Sequence, residues 1–271
     1  MDFKRVISAL LGLPLVIIIV AFGNNYVIDI FFSIIAIISL KEYFNACSKK
    51  AKPIRWVGYV SALFISFVSI INIDKIYEYI VISIPVVVSL LFLHVILTNM
   101  KFDIEDIALT FLGVYYIPLF IMFLALIVKY DPSKILIWYA LITAWGTDVF
   151  AYLIGRTFKL GKHKFSKISP NKSIEGCIAG VVGAIVLALT YTYICNTYFI
   201  LSINYIHVLI ITVILSIVSQ VGDFAASSIK RYVDIKDYSD LIPGHGGMLD
   251  RIDSVIFLAP FAYILLMFIN I

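Results

Sequence analysis

Charge is scarce in this chain of 271 residues: Asp, Glu, Lys and Arg make up 14% of it, against roughly a quarter in soluble globular domains. That shortage excludes an ordinary water-soluble domain. Cysteine is scarcer still, with only Cys47, Cys177 and Cys195. Their separations fit neither a zinc site nor a disulfide framework, so small folds stapled in those ways are excluded too. No linker or low-complexity tract interrupts the chain, and residues 1–271 read as a single domain. The net charge of +4 is small, and membrane topology accounts for it without a nucleic-acid partner.

Hydrophobic residues fill the space that charge leaves, at 62% of the chain. A helix crossing about 30 Å of hydrocarbon needs about 20 apolar residues. Nine runs approach that length: 6–23, 26–44, 56–73, 79–97, 107–128, 135–154, 175–195, 203–226 and 252–270. Only a helix satisfies its own backbone in lipid along such runs, so the expected class is all-α, a polytopic transmembrane helical bundle of about nine spans. The first run follows Lys4 and Arg5, is long for a signal peptide and precedes no small-residue cleavage site. It reads as an uncleaved span.

Basic residues orient the bundle. Lys4, Arg5, Lys41, Lys49, Lys50, Lys52, Arg55 and Lys101 fall on one side with the long polar loops that follow spans six and eight. Of the 21 Lys and Arg residues, only Lys75, Lys129 and Lys134 fall on the other. The positive-inside rule then makes the N-terminus and both polar loops cytoplasmic, in a multi-pass protein of the cell (inner) membrane.

Reactive side chains concentrate in residues 141–271, whereas residues 1–140 read mainly as scaffold. Asp148 stands eight residues before Arg156, and Asp223 eight before Arg231, which on a helix is about 12 Å inside the exit. A charge at that depth costs about 3 kcal/mol even on lenient scales, and it marks a site or a buried ion pair. The stretch "SPNKSIEG" makes a turn at Pro170 and Asn171, with Ser173 as helix cap and Glu175 in the first turn. Lys172 beside that free helix N-terminus suits a phosphate. Lys159, Lys162 and Lys164 read as a solvated loop, and Gly176, Gly180 and Gly183 as small residues for close helix packing.

The longer stretch "SSIKRYVDIKDYSDLIPGHGGMLDRID" spans residues 227–253. Ser227, Lys230, Arg231 and Asp234 continue the helical face of Asp223, and Lys236 and Asp237 follow. Gly244, Gly246 and Gly247 allow positive φ and close backbone approach, so their N–H groups are able to form an anion nest. Asp250 and Asp253, three apart, share a face at the start of the last span. Carboxylates among lysines and arginines suit Mg²⁺ bridging a polyphosphate, since Mg²⁺ takes one or two carboxylates plus phosphate oxygens. His245 serves as a general acid, as a phosphate donor or merely as part of the turn; the sequence leaves these readings open.

Residues 227–253 resemble, position by position, the signature of the phosphatidate cytidylyltransferases (CDP-diacylglycerol synthases). "TDVFAYLIGR" and "HKFSKISPNKSIEG" also resemble segments of that family, with a departure at Val149 or Phe150, where members often carry a small residue. The resemblance covers about residues 145–255. It implies transfer of CMP from CTP to phosphatidic acid, with release of pyrophosphate. Asp223 and Asp250 would hold Mg²⁺, and a second metal ion fits the same scheme, with Asp148 as a further ligand. Lys172, Lys230, Arg231, Lys236 and Arg251 would hold the triphosphate and the lipid phosphate, and Ser173, Ser227 and Asp237 would line the same site. Gly244, His245, Gly246 and Gly247 would shape the loop over pyrophosphate, and Asp253 would orient Arg251. Membrane lipid is a further partner, and the family suggests a homodimer. Two alternatives act on another lipid, as an ether-lipid cytidylyltransferase or an isoprenoid alcohol kinase. A secondary transporter is more distant, because its polar groups would lie near mid-membrane in several spans.

Overall fold

Each of the nine apolar runs emerges as helix in the computed structural model, which describes residues 3–71, 75–157 and 172–269. The elements are α1 (Phe3–Phe22), α2 (Asn25–Cys47), α3 (Arg55–Ile71), α4 (Ile76–Leu97), α5 (Ile104–Tyr116), α6 (Pro118–Tyr130), α7 (Ile135–Thr157), α8 (Ile174–Tyr198), α9 (Tyr205–Tyr232) and α10 (Leu249–Leu266). Among the described residues there is no strand, only an isolated bridge between Ile242 and Gly246. Five stretches are long and apolar enough to cross a membrane by length and composition: Ile76–Leu97, Ile104–Tyr130, Ile135–Gly155, Ile174–Tyr198 and Tyr205–Tyr232. The chain is an all-α membrane helical protein. Lys159, Lys162, Lys164, Lys167, Pro170 and Asn171 lie outside the described residues, as does the side chain of Arg156.

The fifth run, expected as one helix over 107–128, is interrupted at Ile117. Pro118 lacks the N–H that would continue the ladder and crowds the residue before it, so α5 stops and α6 restarts with proline at its first position. The same run starts earlier than expected. Asp103 and Asp106 form a reciprocal capping box, each carboxylate accepting the other's backbone N–H at 3.0 Å. The remaining Asp106 oxygen accepts the Lys52 N–H. One buried carboxylate thus closes α5 and ties down the segment that enters α3.

The chain forms two compact units. One comprises Met1–Lys129 with Tyr232–Ile252, the other Tyr130–Arg231 with Asp253–Ile271. In the first, α2 and α5 pack closely enough that the Tyr43 hydroxyl donates to the Leu109 carbonyl at 3.1 Å. Asp29 on α2 and Lys129 on α6 pair at 2.7 Å, with side chains 2% and 10% exposed. In the second, α7 and α8 touch along the expected glycines. A Cβ on Gly183 would stand 2.1 Å from the Phe150 ring, and one on Gly180 2.8 Å from the Thr147 carbonyl. Small residues let the backbones approach where lipid supplies no hydrophobic drive between helices. Thr147 then reaches α9, its hydroxyl 2.7 Å from that of Ser216.

Candidate functional site

The second unit gathers acids and lysines from four elements. Ser173 caps α8 as expected, its hydroxyl accepting the Gly176 N–H at 3.1 Å. That cap fixes the approach of Lys172, whose ammonium binds the Asp223 carboxylate of α9 and lies 4.6 Å from the centre of the Phe224 ring. Ser227, one turn along α9, points its hydroxyl toward the other Asp223 oxygen at 3.4 Å. Lys230 continues the same face at the last turn. Asp148 on α7 accepts the Ser254 hydroxyl of α10 at 2.8 Å, and the neighbouring Asp253 is buried. Asp223, Lys230 and Asp148 all act electrostatically on Asp253.

Two acids singled out by their depth in apolar runs, Asp148 and Asp223, therefore share one locality with two lysines and a third acid. Carboxylates at such proximity repel one another, and the arrangement holds because cations stand among them. Among the described residues, no three His, Cys, Asp or Glu side chains are arranged to enclose a metal ion. Mg²⁺ does not require that, since water and phosphate oxygens complete its shell. The oxygen donors of Asp148 and Asp223 fit that ion in kind.

Asp253, expected to orient Arg251, turns elsewhere. Residues two apart on a helix point in different directions; Asp253 is buried beside the acids and Lys230, whereas Arg251 is exposed.

The first unit holds the glycine loop. The Ile242 N–H donates to the Gly246 carbonyl and the His245 N–H to the Ile242 carbonyl, both at 2.8 Å. Gly244 and Gly246 have φ of 76° and 83°, a region glycine enters without steric cost. Of the three glycines expected to form an anion nest, Gly247 has its N–H already met by one of the chain's own carboxylates, and so do the two residues after it. Asp250 Oδ2 accepts from Gly247 at 3.0 Å and from Tyr238 at 2.7 Å. Glu42, on α2, accepts from Met248 at 2.9 Å through Oε1 and from Leu249 at 2.8 Å through Oε2. The Ser239 hydroxyl donates to Glu42 Oε1 at 2.6 Å. The attraction of a helix N-terminus for anions is real here, and Glu42 answers it at α10.

Lys236 and Asp237 are exposed in this unit, and Asp234 pairs with Lys50 at 2.9 Å. Arg231 is exposed at the end of α9. Sequence reasoning missed Glu42, Ser239 and Ser254. Glu42 carried a signal, because it is an acid near the end of a largely apolar run, the same argument that singled out Asp148. The two serines carried none.

Comparison with known proteins extends the match beyond these loops. The chain is 39% identical over 181 residues to the phosphatidate cytidylyltransferase of Bacillus subtilis (strain 168), covering 66% of this chain and 65% of that protein. It is 31% identical over 264 residues to the phosphatidate cytidylyltransferase of Staphylococcus haemolyticus (strain JCSC1435). With that of Staphylococcus aureus (strain COL) it shares 32% identity over 270 residues. The two staphylococcal alignments each cover 97% of this chain and 98% of the relative. The profile of the cytidylyltransferase family matches residues 3–269, through both the acid–lysine cluster and the glycine loop, and the chain belongs to that family.

Proposed function

We propose that the chain transfers CMP from CTP to phosphatidic acid, giving CDP-diacylglycerol and pyrophosphate, at the cytoplasmic face of the cell membrane. Family membership and relatives named for this activity support the reaction. The observation that carries its location in the chain is the meeting of Lys172, Lys230, Asp148, Asp223 and Asp253 at α7 to α10, of which α7, α8 and α9 are long and apolar enough to cross a membrane. A lipid phosphate and a nucleotide triphosphate together bring many negative charges, and lysines already held among acids are preorganised to receive them.

In the reaction, a phosphate oxygen of phosphatidic acid forms a bond to the α-phosphorus of CTP. The bond from that phosphorus to the oxygen bridging the β-phosphate breaks, and pyrophosphate leaves with the electron pair. A phosphomonoester has a second pKa near 6, so the nucleophile is largely dianionic at neutral pH and needs no strong base. Lys172, Lys230 and Arg231 offset charge on the phosphates and align them, which supplies most of the rate. Asp148 and Asp223 would hold Mg²⁺ together with phosphate oxygens, and the ion would add charge neutralisation at the phosphates. Asp250 is assigned to shaping the glycine loop, as its bonds to Gly247 and Tyr238 suggest.

The test is pyrophosphate release by purified protein in detergent with phosphatidic acid, CTP and Mg²⁺, beside Asp223→Asn. Turnover should require all three and disappear in the folded variant. Turnover with another lipid, and none with phosphatidic acid, would refute the substrate. Orientation rests on the distribution of basic residues. A membrane-impermeant thiol reagent should label Lys134→Cys on intact cells and leave Lys236→Cys untouched. The homodimer implied by resemblance is tested by the mass of the protein in detergent.

A further inference from the structure

We infer that Glu42 is a positioning residue for catalysis, a carboxylate that fixes the glycine loop and the start of α10. The inference deepens the nucleotidyl-transfer reading above and rests on it for its kinetic part. Glu42 belongs to α2, in the half of the chain that otherwise reads as scaffold, yet it bonds residues 197 to 207 positions away. It is 5% exposed. A charge so deeply buried is tolerated only when its hydrogen bonds are made, and here both oxygens are engaged, by Met248, Leu249 and Ser239.

The loop is also shaped around this carboxylate. A Cβ on Gly247 would lie 2.7 to 2.9 Å from the Glu42 oxygens and carboxyl carbon. Any side chain at 247 would push the carboxylate off its N–H partners. Gly247 has an ordinary backbone conformation, unlike Gly244 and Gly246 with their positive φ, so close approach is the reason for glycine there. Asp250 Oδ2 takes the intervening N–H of Gly247. Two carboxylates thus bind three consecutive N–H groups, those of residues 247, 248 and 249.

What this fixes is the register of α10. Each residue advances a helix by about 100°, so a slip of one residue at its start would turn Asp250, Arg251 and Asp253 away from their present directions. Asp253 is buried among charges whose interactions depend on that direction. Glu42 acts through α10, the helix that carries these acids.

The experiment compares wild type with Glu42→Gln, Glu42→Asp and Gly247→Ala in detergent. Glutamine keeps the size, but its amide nitrogen cannot accept an N–H, so one of the paired bonds is lost. The expected result is a fall in kcat of about 10- to 100-fold, the scale of an ångström misplacement. KM for CTP should stay within about threefold, because ground-state binding does not pass through Glu42. Glu42→Asp, retaining the charge, should recover part of kcat, and Gly247→Ala should reproduce the loss. Amide hydrogen exchange at residues 247–249 should speed up in Glu42→Gln, a readout independent of the substrate. Unchanged exchange overturns the clamp. Faster exchange with kcat within twofold of wild type reduces Glu42 to a structural cap and overturns the positioning role. If Glu42→Gln does not fold, Glu42→Asp and Gly247→Ala decide by the same two readouts. A wild type inactive with phosphatidic acid and CTP refutes the reaction proposed above, while exchange still decides the clamp.

Discussion

Lys172 makes two bonds that point to different roles, and replacing it separates them. Its ammonium binds Asp223, with side chains 29% and 25% exposed. Exposed pairs contribute about 0–1 kcal/mol, and breaking a fully buried one costs about 3–5 kcal/mol. Lys172→Met in this half-buried place should therefore cost about 1–2 kcal/mol of stability. The contact with Phe224 adds little to that, since methionine keeps most of the packing and gives up only the cation–π part. Catalysis should suffer more. A hydrogen bond to a charged phosphate is worth about 1.5–3 kcal/mol, which is about 10- to 100-fold in kcat/KM.

The double variant Lys172→Met with Asp223→Asn makes the distinction sharp. With both charges gone, neither partner is left stranded, so thermal unfolding in detergent should move back toward wild type. Pyrophosphate release should not recover, because the phosphates have lost a cation and Mg²⁺ a carboxylate. If Lys172 and Asp223 serve only each other, as a structural ion pair, the double variant regains activity along with stability. That recovery would refute the assignment of Lys172 to substrate, as would Lys172→Met alone with kcat/KM within threefold of wild type.

Three further outcomes are expected, each read by thermal unfolding in detergent. Asp106→Ala removes the acceptor for the Asp103 and Lys52 N–H groups and should cost about 2–4 kcal/mol; a loss below the 1 kcal/mol typical of a helix cap would deny Asp106 its tie to the α3 entry. Lys129→Met takes away the ammonium 2.7 Å from the buried Asp29 and should cost about 3–5 kcal/mol, most of it recovered by adding Asp29→Asn. Gly183→Ala forces Phe150 aside and should cost about 1–3 kcal/mol, while Gly12→Ala, with no atom within 4 Å of the added carbon, should be neutral.

Helix placement was legible because one physical quantity decides it. In lipid a long apolar run has no alternative to helix, and among the described residues each of the nine runs is mostly helical, one of them as two helices. The ends were less legible, since they depend on a few polar atoms. The break at Ile117 was written in Pro118, and the early start of α5 in the Asp103–Asp106 spacing, yet both lie inside or beside a run whose hydropathy gave no reason to stop. The run 203–226 continues as helix to Tyr232, where Lys230 and Arg231 favour the C-terminal dipole, as their place on the helical face of Asp223 implied.

The site was legible to the extent that solvation cost alone identifies it. Asp148 and Asp223 were singled out because a charge inside a span must be compensated, and the structure gives each a partner: the Ser254 hydroxyl for one, Lys172 and Ser227 for the other. Which groups compensate which was not legible, because the partners come from different helices and no local periodicity relates them. The resemblance implied that Asp253 orients Arg251, and the helix turns the two apart. The glycine loop makes the same point more strongly. Its conformation follows from its own residues, as the positive φ at Gly244 and Gly246 confirms. Its N–H groups invited an anion, and composition suggested phosphate. The anion that binds Met248 and Leu249 is Glu42, some two hundred residues earlier. Local chemistry fixes what kind of partner a site demands, and only the fold decides whether that partner comes from solution or from the chain itself.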